Sequence, residues 1–211
     1  MSGRVSARQA LTRLKEGNRR FVNGDAGREG RYQPPQKSKP VSQQEPIAIV
    51  LGCSDARVPA EMVFDQGLGD LFVIRVAGNV VAPSQIDSVE FAASQFGTRL
   101  VVVLGHTQCG AVLATIAEMR RDESERSLSL RSIVDRVRPA VEGLMMSGVF
   151  ADDPQALVTN AVRANIAASV RQLREGSEGI QALIENEGLV IIGAEYSLET
   201  GVVKFFEGGN G

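Results

Sequence analysis

Ile49-Val50-Leu51-Gly52-Cys53 and Val102-Val103-Leu104-Gly105-His106 repeat one construction: an aliphatic run, a glycine, then a side chain able to bind a metal ion. Short, wholly apolar runs bounded by glycine read as strands buried on both faces, the kind found in parallel sheets. The first run extends back to Ile47. Leu71-Phe72-Val73-Ile74 and Leu189-Val190-Ile191-Ile192-Gly193 are two more of the same type. Between them, residues 84–95, 110–120, 131–146 and 155–174 carry helical periodicity, and Ser84-Gln85-Ile86-Asp87 is expected to open its helix as a capping box. Strands alternating with helices predict an α/β fold, a single domain with a mainly parallel, mixed central sheet covered by helices on both faces. Residues 202–206, after a turn at Glu199-Thr200-Gly201, are expected to add an antiparallel edge strand.

Outward from this core, residues 6–22 space Ala10, Leu11, Leu14, Phe21 and Val22 at helical intervals, which predicts an amphipathic helix. Residues 23–46 lose all periodicity and hold Pro34, Pro35, Pro40 and Pro46. Such a stretch suits an arm lying on another surface. The expected organisation is therefore a helix and arm over 1–46, packing on a partner subunit, and an α/β domain over 47–211 that carries the metal-capable side chains. Residues 120–127 read as a solvated loop.

Composition excludes several function classes. The 211 residues carry a net charge of −2, so no basic field is available for nucleic acid or an anionic membrane. Aromatic residues make up 5% and tryptophan is absent, which argues against a base-stacking surface. The longest apolar runs are about six residues, far below the roughly 20 that a membrane span needs. Residues 1–20 are interrupted by charge and lack a secretory apolar region. A chain with two cysteines is no disulfide scaffold, and a cytoplasmic location with both thiols reduced is expected.

Those cysteines and one histidine are the soft metal ligands: Cys53, Cys109 and His106. Ligands bind outside the carboxyl ends of the strands in open α/β sheets, where two strands deliver Cys53 and His106. Cys109 follows in a His-x-x-Cys spacing, just before a helix at Gly110 whose dipole favours a thiolate. Two thiolates and one imidazole suit one tetrahedral zinc ion per chain with its fourth position open to water or a carboxylate.

The residues around these ligands resemble a known family. Cys53-Ser54-Asp55-Ala56-Arg57 followed by His106-Thr107-Gln108-Cys109-Gly110 is similar to the β-class carbonic anhydrases. The likeness continues through Gln66-Gly67-x-Gly69-Asp70-Leu71-Phe72-Val73-x-Arg75-x-Ala77-Gly78-Asn79 and the opening Leu14-x-x-Gly17-Asn18-x-Arg20-Phe21. The resemblance implies reversible hydration of carbon dioxide to bicarbonate and a proton. It implies zinc on Cys53, His106 and Cys109, and a catalytic dyad of Asp55 and Arg57, in which an ionised Asp55 aims the nucleophile and Arg57 keeps it ionised through a forked pair. Asp55 is implied as fourth zinc ligand in a closed state. Gln44, Phe72 and Gly110 are implied at the substrate, and a homodimer or homotetramer as the assembly. Arg75 and Tyr196 match two positions of a bicarbonate regulatory pocket found in some bacterial members, whose tryptophan position is Val50 here. Phe91 stands where plant-type members place an active-site tyrosine. Hydrolysis of carbonyl sulfide or carbon disulfide on the same scaffold is the alternative enzyme reading. A zinc-stapled or redox protein pairing Cys53 with Cys109 is the non-catalytic one.

Overall fold

The four aliphatic runs become four parallel strands of one sheet. In the computed structural model, which describes residues 5–27, 44–125 and 130–206, these are β1 (Ala48–Gly52), β2 (Leu71–Arg75), β3 (Leu100–His106) and β4 (Val190–Tyr196). The edge strand β5 (Val203–Phe206) runs antiparallel to β4, so the mixed sheet has the order β2-β1-β3-β4-β5. Strand side chains alternate between faces, which splits the core in two. Ile49, Leu51, Val101, Val103 and Ile191 pack in one apolar cluster with Val137, Val162, Ile166, Leu173 and Ile180. These partners come from α5 (Arg131–Met146), α6 (Pro154–Glu175) and α7 (Glu178–Glu187). Val50, Val102, Leu104, Ile192 and Ala194 pack in the second cluster with Leu14, Val63 and Phe64.

The opposite face is covered by the N-terminal helix α1 (Ala7–Val22), opened by a reciprocal capping box between Ser6 and Gln9. Ala10 and Leu14 are fully buried against the sheet of their own chain. Two features fix α1 there. Gly17 lies so close to the short helix α2 (Ala60–Val63) that an added Cβ would meet the Phe64 carbonyl oxygen at 1.7 Å. Asn18 donates from Nδ2 to the carbonyls of Val63 (3.1 Å) and Gly201 (2.9 Å) and accepts from the Val203 N–H at 2.8 Å. One amide thus ties α1, α2 and β5 together. The expected arm falls mostly on 28–43, outside the described residues.

Some local expectations change. Helix α3 (Pro83–Gln95) starts one residue earlier than the proposed capping box, with Ala82 as its N-cap and no side-chain cap. Pro83 explains this: its fixed φ suits the first helical position and its missing N–H needs no partner. Ser84 instead bonds to Gln85. The stretch read as a solvated loop contains a 3₁₀ turn at Glu123–Glu125, and its residues 126 and 127 lie outside the described ones. α2 and α7 were not expected from the pattern. α2 is a single turn, and α7 is marked mainly by its Ser177 cap and the left-handed Gly188 that ends it.

Two glycine substitutions are expected to act in opposite directions. Gly17→Ala should destabilise by about 1–3 kcal/mol, because backbone rather than a movable side chain blocks the new methyl. Gly143→Ala, inside α5 with nothing within 4 Å of the new Cβ, should stabilise by about 0.5–1 kcal/mol. Urea unfolding of both variants checks the pair. A Gly17→Ala protein as stable as wild type would mean that α1 does not dock on Phe64.

Candidate metal centre

β1 and β3 are neighbours in register, with Gly52 opposite Leu104. The residues at their carboxyl ends therefore emerge side by side: Cys53 immediately after β1 and His106 as the last residue of β3. The chain then turns sharply. Gln108 adopts a left-handed backbone (φ 55°), uncommon for a residue with a side chain. The turn is pinned to β4 by the Thr107 N–H on the Tyr196 carbonyl (2.9 Å) and by the Leu198 N–H on the Thr107 hydroxyl (3.0 Å). It returns Cys109 toward His106 as the N-cap of α4 (Gly110–Met119).

The result is one cluster. The ligand atoms of Cys53, His106 and Cys109 lie within 4.8 Å of one another, and all three residues are buried. Both cysteines are free. His106 Nδ1 is 2.9 Å from the Thr107 carbonyl, which can only accept, so Nδ1 carries the ring proton. Nε2 is then a bare lone pair, buried with no hydrogen-bond partner among the described residues. An orphaned imidazole nitrogen facing two thiols is costly unless something electrophilic occupies the middle. Two sulphurs and one such nitrogen form the soft donor set that zinc selects, and zinc bonds of about 2.0–2.3 Å would draw these atoms only slightly closer. The residues fit the ion.

The two thiols titrate as a pair. The hydrogen bond from Cys109 pulls the Cys53 pKa down to about 4 against the effect of burial, with His106 and the N–H groups of Gly78 and Asp55 assisting. The same bond and burial push Cys109 up, although the N–H groups of Val112 and Ala111 pull the other way. The first thiolate therefore belongs to the pair, with the Cys109 proton shared toward Cys53. Burial alone would lower the pKa of His106, but the Cys53 sulphur, the Thr107 carbonyl and Asp55 together raise it. A dication among the three ligands would take the place of these shared protons.

Asp55 and Arg57 stand at the rim. Arg57 donates from Nε to Asp55 Oδ1 (2.9 Å) and from a terminal nitrogen to Oδ2 (2.8 Å), and its backbone N–H adds a third bond to Oδ1 at 3.0 Å. These bonds hold the Asp55 carboxyl well below the usual carboxylate range, against the opposing effect of burial. Oδ2 also lies 3.8 Å from His106 Nε2, so the carboxylate borders the cluster. The loop is braced by Arg75, whose guanidinium donates to the carbonyls of Cys53 (3.0 Å) and Asp55 (2.5 Å).

The remaining sequence candidates fall in different places. Gly110 is exposed at the start of α4, next to Cys109. Gln44 is exposed ahead of β1, the end of that strand away from the cluster. Phe72 pairs in register with Ile49, four residues before Cys53, hence about 13 Å down the sheet from the ligands. It packs there on Phe91 (6.3 Å) and Phe96 (6.0 Å). Within this chain, neither Gln44 nor Phe72 reaches the cluster. Arg75 and Tyr196 lie on β2 and β4 with β1 and β3 between them. Asp65 is buried and engaged by Arg20 and by the Gly27 N–H at 3.0 Å, so both its oxygens are used. Sequence reading missed two contributors, the brace formed by Arg75 and the Gly78 N–H, which donates to Cys53 Sγ at 3.3 Å. Both belong to the Arg75-x-Ala77-Gly78-Asn79 motif, which signalled them without revealing what they touch.

Known proteins are similar to this chain in sequence and fold. The carbonic anhydrase family model matches residues 48–203. "Carbonic anhydrase 2" of Mycobacterium tuberculosis is 37% identical over 193 residues, covering 89% of this chain and 87% of that protein. A carbonic anhydrase of Mycolicibacterium smegmatis is 37% identical over 201 residues, covering 90% and 89%. Among solved structures, a Coccomyxa β-carbonic anhydrase in complex with acetazolamide superposes with a TM-score of 0.69 at 25% identity, covering 93% of this chain and 86% of that one. By its sequence, its sheet and the length of these matches, the chain belongs to the carbonic anhydrase family, in the β-class.

Proposed function

We propose that this carbonic anhydrase hydrates carbon dioxide with a zinc ion held by Cys53, His106 and Cys109 and with Asp55 and Arg57 as its catalytic dyad. The observation that carries the assignment is the buried three-ligand cluster with a forked carboxylate–guanidinium pair at its rim. When bound, zinc supplies Lewis acidity, which makes hydroxide available near neutral pH to attack the carbon of carbon dioxide. The protein's own residues do the rest. Asp55, kept anionic by Arg57, accepts a hydrogen bond from the nucleophile and so directs its free lone pair at the carbon. For Asp55 to serve instead as fourth ligand, in a closed state, it would have to give up the bonds it accepts from Arg57. Gly110 lines the approach from the start of α4.

Gln44 and Phe72 would serve a site only across a subunit boundary, with the 1–46 helix and arm packing on the partner. Support for such self-association comes from the β2 edge, where Phe91 is 53% and Leu68 69% exposed beside a strand whose outer edge has no partner among the described residues. No helix among the described residues is long and apolar enough to cross a membrane, and two free cysteines suit the reducing cytoplasm.

Three outcomes are expected. Purified protein should carry one zinc per chain by elemental analysis and hydrate carbon dioxide in a stopped-flow assay. Cys53→Ser, His106→Ala and Cys109→Ser should each lose most of the metal. Full zinc in all three variants would remove the ligand assignment.

Arg57→Ala should lower kcat/KM by about 10²-fold, in the range of losing one preorganised electrostatic contact. Arg57→Lys should recover part of this, since lysine keeps the charge but not the fork. Arg57 lowers the Asp55 pKa, so removing it raises that pKa and should move the acid limb of the kcat/KM profile to higher pH. An unmoved acid limb would count against the dyad.

The third outcome concerns proton release. The sole histidine is the proposed ligand, buried, with Nδ1 already committed. An internal imidazole shuttle is therefore absent. Turnover at saturating carbon dioxide should rise with external buffer concentration and level off only at high buffer. A flat response would show an internal relay.

A further inference from the structure

The Cys53 sulphur accepts a hydrogen bond from Gly78 N–H at 3.3 Å, and this donor sits on a turn that β2 alone does not hold. Gly78 lies in the 3₁₀ turn Ala77–Asn79 with a left-handed backbone (φ 69°). A Cβ there would meet the Ala111 side chain at 2.9 Å, so the position needs glycine for both its conformation and its space. The turn's next two carbonyls are held from across the core by α6. Asn165 donates from Nδ2 to the Gly78 carbonyl at 2.8 Å, and Ser169 donates from Oγ to the Asn79 carbonyl at 3.0 Å. Both side chains are buried, and four residues apart they share one face of the helix.

We propose that Asn165 and Ser169 are positioning residues of the metal centre, acting through the Gly78 N–H on the Cys53 sulphur. The inference rests on the reading of Cys53 as a zinc ligand. Its physical content is electrostatic. Zinc with two thiolates and a neutral imidazole sums to zero charge, which weakens its pull on water compared with an all-histidine site. An N–H aimed at one thiolate withdraws electron density from that sulphur and leaves the metal more electrophilic. The donor works only while its peptide keeps this orientation. Fixing the Gly78 and Asn79 carbonyls from a 22-residue helix holds the two peptides that directly follow the Gly78 N–H and so limits rotation of the turn about Gly78.

Cobalt-substituted protein and zinc competition against a chelator test this together. Asn165→Ala should weaken zinc binding roughly tenfold to a hundredfold, the range for losing an outer-shell partner of a metal ligand. The sulphur-to-cobalt charge-transfer band should move to longer wavelength as the sulphur becomes richer in electrons. Ser169→Ala should produce the same changes to a smaller degree, and Ser169→Thr, which keeps the hydroxyl, should restore both readouts. Leu173→Ala, a buried truncation elsewhere on α6, controls for general loosening: it should lower stability without moving the band. The proposal is overturned if the Ser169 and Asn165 variants keep wild-type affinity and band position, or if Leu173→Ala reproduces the shift. No thiolate–cobalt band in the wild-type protein would instead overturn the zinc reading itself, and this proposal with it.

Discussion

The metal end of this protein depends on the register of two adjacent parallel strands. Gly52 lies opposite Leu104, and that alignment decides where the next side chains emerge. A slip of one residue would carry Cys53 about 3.3 Å along β3 relative to His106 and turn Ile49, Val50 and Leu51 each toward the wrong core, because strand side chains alternate with a period of two. Burial protects the register. Ile49 and Leu51 belong to one core, Val50 to the other, and each is fully enclosed. The hydrophobic core and the ligand set are therefore specified by the same residues.

Around that alignment the site is built in layers of decreasing rigidity. The three candidate ligands are buried and approached mainly by backbone groups, which have few ways to move. The Asp55–Arg57 pair is more open, with the Arg57 side chain 60% exposed. An exposed ion pair contributes little to stability, so its geometry is better explained by what the carboxylate must do than by folding. The pair is nonetheless well oriented, since Asp55 also accepts from the Arg57 backbone and Arg75 grips the carbonyls on either side of Ser54. Backbone supplies the precision here, and side chains supply the charge.

The sheet and its ligands were legible in the sequence for a simple reason. Wholly apolar runs of four or five residues, three of them closed by glycine, have few alternatives in a chain of ordinary composition, and Cys53, His106 and Cys109 were the soft ligands to be placed. Helix starts were less legible where two local signals competed. Ser84 and Asp87 look like a cap, but Pro83 sets the first turn through its ring. The roles of Gly78, Arg75 and Asn18 were not legible at all. Each acts by a hydrogen bond to a residue at least 22 positions away, and no local pattern encodes a distant carbonyl or sulphur. Gln44 and Phe72 show the complementary limit, since a residue named by motif position can lie far from the site in its own chain.

The amide of Asn18 has a consequence for the order in which the molecule is made. Its partners include the Gly201 carbonyl and the Val203 N–H, groups that leave the ribosome 183 and 185 residues after Asn18 itself. Until then α1 has an apolar face with no completed seat, and an isolated helix of 16 residues is marginal in water. α1 must therefore wait, while the strands from β1 to β4 can pair as they emerge. Final locking of the first helix and the last strand becomes a single late event, later along the chain than Tyr196 and Leu198, which pin the ligand turn.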